Sequence, residues 1–551
     1  MTQHRSDDSV AVQQTATRQF SPRPLVAAVA RALPGAILMS AGALLSPAVL
    51  ATTYPVSNTN DSGSGSLRDA LNQANANPGG DTVTFASNVT GSIDLTSGPL
   101  LISDSVDVQG PGADILTVDA GGIVVAPAQG GTTQGQPPAP ISANVFAIAP
   151  PGAATVASIR SGQTSAGTAP PSINVTLSGL TITGGHAAYG AGILANQSNL
   201  AVNDCVVSNN TAYSAGGGIM AIGKYNTLDV ADSVITGNAV TKYGTSGPPG
   251  VGGGVMASTH AATISRSTLS NNTAPAGAGM AAIQAPAYQY GPVGDVTITD
   301  STISGNHAVS SGSQSSYAVG GGLIKIAGNL NIVNSTISDN ISDAVAGAIA
   351  DGAKYDGNTS IRNSTVAGNQ AAQNTGGIAV SFYNSASGTH QIVNSVIGGN
   401  SAPTDPDLSS IGGAGDIGLA FSLVQNPGSA PISDNGGNIF NQDPMLGTLT
   451  NNGGPTLTQL PQAGSPLIDA GDPAFTGPPN NDQRGAGFPR VVNGTVDIGA
   501  TEASGAAPPV PPFAAVPALG DPGRLGLGAL LGLAGLAVAR RRKQAGISNS
   551  D

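Results

Sequence analysis

One short pattern recurs between Leu200 and Ala402, and it limits what the chain can fold into more than any other feature. Its copies are DCVVSNN at Asp204, DSVITGN at Asp232, RSTLSNN at Arg266, DSTISGN at Asp300, NSTISDN at Asn334, NSTVAGN at Asn363 and NSVIGGN at Asn394. The closing residues Asn210, Asn238, Asn272, Asn306, Asn340, Asn369 and Asn400 lie 25 to 34 residues apart once a weaker first copy ending at Gly185 is included. Self-similarity at that period predicts stacked repeats in place of a conventional globular core.

The repeat also states its geometry. In VTITDSTI, Val296 to Ile303, Val296 and Ile298 alternate, the phase slips by one residue, and Ser301 and Ile303 alternate anew. Side chains in a strand point alternately to opposite faces, so the slip marks a corner between two short strands that share an inner face. The corner slot holds Asp204, Asp232, Asp300, Asn334, Asn363 or Asn394, residue types that tolerate left-handed backbone; Arg266 breaks the rule. A loop follows each closing Asn, and then a glycine-rich third strand, as in Gly216–Ile219, Gly252–Val255 and Gly320–Leu323. Three strands per turn predict an all-β, right-handed parallel β-helix of the pectate lyase-like solenoid type. A propeller needs longer, four-stranded antiparallel repeats, and no Leu spacing or helix per repeat supports leucine-rich repeats.

Composition fits a chain of corners. Charged residues make up 9%, aromatics 3%, there are 78 glycines, and Glu502 is the only glutamate beside thirty aspartates. At about 4.8 Å per stacked strand, residues 82 to 440 would give about 13 coils and a rod about 60 Å long.

In chain order, residues 1–51 read as an export signal. Arg18, Arg23 and Arg31 precede the apolar run Leu33–Leu50, and Ala51 is the expected cleavage position. Residues 52–110 hold an N-terminal cap and the first coils. Within them SLRDALNQAN, Ser66 to Asn75, predicts a short capping helix, with Ser66 and Asp69 as a capping box and Leu67, Ala70, Leu71 and Ala74 as its apolar stripe. Residues 111–172 combine coils with a low-complexity insert, 173–402 are the repeats, and 403–502 lose the period and read as a C-terminal cap. A Pro/Ala linker occupies 503–523. The tail, 524–551, carries an apolar run, Leu525–Val538, directly before Arg540, Arg541, Arg542 and Lys543, which would place it in the membrane with the body outside. Cys205 fills the slot taken elsewhere by Ser233, Ser267 and Ser301, so it is expected to be a small inward residue. A single cysteine also means that no disulfide framework supports an exported chain.

Four stretches resemble known families. SNTNDSGSGSLRDALNQAN looks like the start of many bacterial β-helix surface proteins. The G-G-G-I and I-x-x-N repeat is similar to that of polymorphic outer-membrane proteins, with Val, Ile or Leu in place of Phe. SPLIDAGD, DQRG and DIGATE resemble the choice-of-anchor Q domain. Val516, Pro517, Ala518 and Leu519, with the Leu/Gly run and Arg540 to Arg542, look like an IPTL-type sorting tail, from which Asp521 to Arg524 depart. The resemblance implies an exported cell-surface or outer-membrane protein, structural or adhesive, whose tail meets the membrane and a sorting protease.

The alternative is a polysaccharide lyase or glycoside hydrolase on the same scaffold. A glycosidase needs two carboxylates about 5 to 10 Å apart, yet the repeat aspartates sit at corners where Asx residues are structurally expected. A lyase needs a base and stabilisation of the carbanion. Lys224, Lys242, Lys325, Lys354, Arg266 and Arg362 are the only such bases from 173 to 402. Arg266 and Lys325 are the first to test, and both are expected to be exposed and solvated. His186, His260, His307 and His390 fall in separate coils without metal-ligand spacing, so no metal or cofactor is expected; calcium among acidic turns has no motif behind it. No residue is assigned a catalytic role. For binding, the candidates are the loop tyrosines Tyr213, Tyr225, Tyr243, Tyr288, Tyr290, Tyr317, Tyr355 and Tyr383, whose flat rings with a hydroxyl suit a carbohydrate or protein surface. From Thr53 to Glu502 there are 27 acidic and 10 basic residues, a difference of −17, which argues against nucleic acid.

Overall fold

The structure is a computed structural model. It describes residues 51–121, 123, 142–153, 172–241, 250–283, 294–310, 318–352, 357–380, 388–410 and 416–503, without the side chain of Lys224. The export signal before Ala51, much of the low-complexity insert, the linker and the whole sorting tail, including Val516 to Leu519 and Arg540 to Arg542, lie outside the described residues. Among the described residues no helix is long and apolar enough to cross a membrane.

The strands wind into a right-handed parallel β-helix, because each pairs with its counterpart one coil away. First and third strands merge into one 21-stranded sheet, second strands form a 12-stranded sheet, and an 8-stranded sheet of very short strands follows the closing asparagines. Twelve stacked second strands correspond to a rod about 55 Å long. Register keeps like residues in columns: Thr268 lies over Thr302, Thr302 over Thr336, and Leu269, Ile303 and Ile337 pile up inside. Val207, Ile235, Leu269, Ile303, Ile337, Val366 and Ile397 are all fully buried in the lumen. Each such side chain contributes about 1.5–3 kcal/mol on burial. The eight-stranded sheet is the element that sequence periodicity misses, since strands such as His307–Ala308 and Ile341–Ser342 are only two residues long. Its first pairing, Ser142–Ala143 with His186–Ala187, is antiparallel.

The predicted corner has one conformation throughout. Asp204, Asp232, Arg266, Asp300, Asn334, Asn363 and Asn394 all have φ between 45° and 52°. Arginine rarely adopts left-handed backbone. Arg266 is held there by a two-pronged ion pair to Asp232 one coil away, Nε to Oδ1 at 2.7 Å and Nη2 to Oδ2 at 2.5 Å. The glycine-rich re-entry is steric as well. Gly252 and Gly320 both have φ of 68°, and a Cβ on either would lie 2.5 Å from the carbonyl oxygen of Val255 or Leu323.

Two side-chain ladders run inside the wall. In one, each closing Asn accepts through Oδ1 from both the backbone N–H and the Nδ2 of the preceding closing Asn, at 2.9–3.1 Å, from Asn210 through Asn238, Asn272, Asn306, Asn340 and Asn369 to Asn400. In the other, the backbone N–H of the inward Cys205, Ser233, Ser267, Ser301, Ser335, Ser364 and Ser395 donates to the next hydroxyl, ending on Ser422, at 3.1–3.2 Å. Both satisfy corner N–H groups that strand pairing leaves unpaired, which is why Asn and Ser recur where an aliphatic residue would fit by volume. Cys205 is a buried member of this column, and burial pushes its thiol up to about 12.

Both ends are closed. The helix Leu67–Ala76 starts at Ser66, whose hydroxyl accepts from Asp69 N, and buries Leu67, Ala70, Leu71 and Ala74, covering a strand edge that would otherwise invite pairing. At the other end parallel pairing continues past residue 402, through Ile417–Ala420 and Leu423–Val424 to Ile432–Asp434 and Ile439–Phe440. The ladder stops at Asp407, which stands in the slot that holds Gly377 one coil earlier. It accepts from Asn400 Nδ2 at 2.8 Å and Asn426 N at 2.6 Å and ends the ladder.

Asn306→Ala leaves amide groups of Asn272 and Leu269 without their partner inside the wall. It is expected to destabilise the repeats by about 2–4 kcal/mol, read as a lower urea midpoint, with faster amide hydrogen exchange at Asn272. Cys205 is expected to resist thiol reagents in the folded chain and to react at once in denaturant.

Candidate functional site

The second-strand, third-strand and first-strand outer surfaces differ in what covers them. On the second strands, the outward Thr302, Thr336 and Thr365 are buried, because the segment after Phe440 folds back over them. Thr302 Oγ1 donates to Leu457 O at 2.6 Å, Thr336 Oγ1 to Gln483 Oε1 at 2.6 Å, and Ala500 N donates to Thr365 Oγ1 at 3.0 Å. On the third strands the outward column is apolar: Leu194, Met220, Met256, Ala281, Ile324, Ala350 and Ala379 stack in register and are buried.

Among the described residues the first strands present the longest open, polar face, while the second strands are half-open only as far as Ser270. Two outward columns run across eight coils in register. One is Thr176, Ala201, Asp229, Thr263, Thr297, Asn331, Ser360 and Gln391; the other is Ser178, Asn203, Ala231, Ser265, Thr299, Val333, Arg362 and Val393. All are half-buried or exposed. Short hydroxyl and amide side chains repeated at the strand spacing make a flat lattice of donors and acceptors. Along its edge Asn199 Nδ2 donates to Asn174 Oδ1 at 2.8 Å, and Asn358 N to Asn329 Oδ1 at 2.8 Å. This face is the candidate binding site.

The candidate bases are placed differently from expectation. Arg266 is indeed exposed, but its charge is engaged by Asp232. Lys325 is not solvated. It is fully buried, pointing into the lumen in the slot that holds Ala282 in the preceding coil. Its Nζ lies 3.1 Å from Asp351 Oδ1 and 3.2 Å from Thr359 Oγ1. Thr359 donates in turn to Asp351 Oδ2, and His390 Nδ1 stands 3.3 Å from that oxygen. Burial raises the Asp351 carboxyl, while the contacts from His390, Lys325 and Thr359 more than reverse this and hold it below its usual range. Aligning GGGLIK with GAIAD places Lys325 and Asp351 in one slot of consecutive repeats, so the pairing is written across repeats and not within a single strand.

A second buried cluster lies in the cap. Asp482 receives Arg484 Nε at 3.1 Å and Nη2 at 2.5 Å, and Arg484 lies 4.1 Å over the Phe488 ring. Arg490, fully buried, points at Gly499 O, has Glu502 Oε1 3.7 Å from its Nε, and is faced by the Asn363 amide oxygen at 2.9 and 3.0 Å. Burial pushes Glu502 up to about 8 against the pull of Arg490, with Asp497 adding to the rise. DQRG and DIGATE thus act as a charged core that docks the cap onto the rod.

Of the loop tyrosines, Tyr225 is exposed beside the first-strand face and Tyr213 is half-buried. Tyr243, Tyr288, Tyr290, Tyr317, Tyr355 and Tyr383 lie outside the described residues. No group of three or more His, Cys, Asp or Glu is placed to hold a metal ion among the described residues.

Fold and faces together define a capped parallel β-helix protein whose described first strands carry a long, open polar side. No protein-family model matches the chain, and no curated protein does. Among solved structures it is similar to the crystal structure of pectate lyase Pel9A, with a TM-score of 0.45 and 15% identity, covering 83% of this chain and 98% of that one.

Because Glu502 binds its proton more tightly folded than unfolded, its contribution to cap stability is full below about pH 4.5 and is lost as pH rises through about 8. Hydrogen exchange at Gly499 and Ala500 should therefore accelerate over that interval, and Glu502→Gln should flatten the profile.

Proposed function

We propose that this protein is an exported cell-surface rod, structural and adhesive in role, whose first-strand face binds a carbohydrate or another protein's surface. The observation behind this is the contrast among the faces: one is roofed by the cap from Thr302 onward, one is apolar and buried, and one carries an open lattice of Thr, Ser and Asn across eight coils. A flat array of short hydroxyl and amide groups suits a repetitive polar ligand such as a glycan, since each coil adds one more set of the same weak contacts and avidity builds along the rod. The exposed ring of Tyr225 at the border adds a stacking surface. The choice-of-anchor Q resemblance of the cap, the polymorphic outer-membrane protein resemblance of the repeats and the IPTL-like tail support export and sorting at the cell envelope, with the tail meeting the membrane and a sorting protease. The net acidic body disfavours nucleic acid and acidic glycans as partners.

The test is incubation of the purified chain with neutral and acidic polysaccharides and host glycans, following both retention and release of reducing or unsaturated ends. Retention without turnover is expected, and Thr297→Arg with Asn331→Arg, which place two bulky charges in the open lattice, should weaken it at least about tenfold. Release of unsaturated or reducing ends would replace this reading with a polysaccharide lyase or glycoside hydrolase on the same scaffold.

A further inference from the structure

The lumen cluster has a geometry that an ordinary buried ion pair does not require. Lys325 and Asp351 face each other across one coil step, both side chains fully buried, with Nζ 3.1 Å from Oδ1. Their nearest neighbours in the lumen are aliphatic: Ala282 and Val380 precede and follow them in their column, Leu323 and Ile349 lie beside them, and Leu330 and Ile417 flank Thr359 and His390. Two charges in such a place carry a desolvation cost that the pair meets only with the help of Thr359 and His390. His390 adds a ring whose Nδ1 and Nε2 are both buried without a hydrogen bond, Nδ1 lying 3.3 Å from Asp351 Oδ2, a further cost unless the ring serves that carboxylate.

We propose that Lys325 and Asp351 condense into an intramolecular isopeptide bond, Nζ to Cγ, which ties two successive coils together through the lumen. The step needs a proton to pass from the ammonium to the carboxylate across the 3.1 Å contact, giving a neutral amine and a neutral acid, a minor state beside the ion pair that Thr359 and His390 stabilise. The Nζ lone pair attacks Cγ and the carbonyl π electrons move to oxygen. The amine's remaining surplus proton is then relayed to the departing hydroxyl, which leaves as water. The net change is one ammonium and one carboxylate giving one amide and one water, with no oxidant, reductant or outside reactant. Contact at 3.1 Å, fixed by the register of the coils, makes the step effectively unimolecular. Thr359, bonded to both partners, and His390 Nδ1, 3.3 Å from Asp351 Oδ2, are the positioning and proton-relay groups. Loss of both charges from the lumen, with release of the water, supplies the driving force that the same reaction lacks in solution.

The test is tryptic mapping of the full-length chain, unfolded in denaturant before digestion. A linear chain is cut after Arg266, Lys325 and Lys354 and yields separate peptides Ser267–Lys325 and Ile326–Lys354. The cross-linked chain is not cut after Lys325 and yields a single Ser267–Lys354 peptide lighter by one water, with fragmentation placing the loss between Lys325 and Asp351. Asp351→Asn should give the same uncut peptide by loss of ammonia, and His390→Gln should raise the linear fraction severalfold. Recovery of the two separate peptides at their unmodified masses from the wild-type chain overturns the proposal and leaves a buried ion pair. Failure to cut after Lys325 in Asp351→Ala overturns it as well.

Discussion

The amide-to-amide hydrogen bond between closing asparagines is the constraint on which the rest depends. A parallel coil must turn, and at the turn the backbone N–H of the Asn faces inward, away from any strand partner. Asn272 resolves this for Asn238 by accepting twice through one oxygen, and Asn306 does the same for Asn272. Because each amide also donates onward, as from Asn272 Nδ2 to Ile235 O, the ladder holds only while the stacking is in register. Register then delivers everything else, including the aliphatic lumen, the corner column and the lattice on the open face.

The same stacking explains where the charges lie. A side chain that points inward in one coil meets the same slot in the next, so a lone charge there needs a partner directly above or below. Lys325 and Asp351 satisfy that rule in the lumen, and Arg266 and Asp232 satisfy it on the outside corner, where solvent screens the pair and its main effect is to support an unfavourable backbone. The cap follows a different logic. Its Asp482, Arg484, Arg490 and Glu502 are buried between irregular turns and the rod, with backbone groups taking up part of the hydrogen bonding. The open first-strand face, by contrast, holds mostly uncharged polar groups.

Much of this was legible in the residues themselves. The phase slip at Asp300 located the corner, Ser66 and Asp69 located the helix start, and the shared slot of Cys205 and Ser233 foretold a buried thiol. Other features were not. The two-residue strands after each closing Asn are too short to show alternation. Lys325 looked solvated because a lysine among glycines and small residues gives no local sign of which way it points. Residues beyond 402 lost the visible period although coiling continues to Phe440, because Ser422 keeps its slot among different flanking residues while Pro427 stands where the next closing Asn would fall.

The sequence by itself determined the coil: its period, its corners, its inward columns and its N-terminal cap all follow from local backbone preference and the two-residue periodicity of a strand. Only the tertiary structure decided which outer face stays open and which charges are sealed. Both depend on the segment from Asn441 to Glu502 returning across coils far from it in the chain, as Gln483 does to Thr302 and Thr336, and on coils stacking Lys325 onto Asp351. Such contacts join residues that no local pattern relates, and their outcome is set by which surfaces exclude water together.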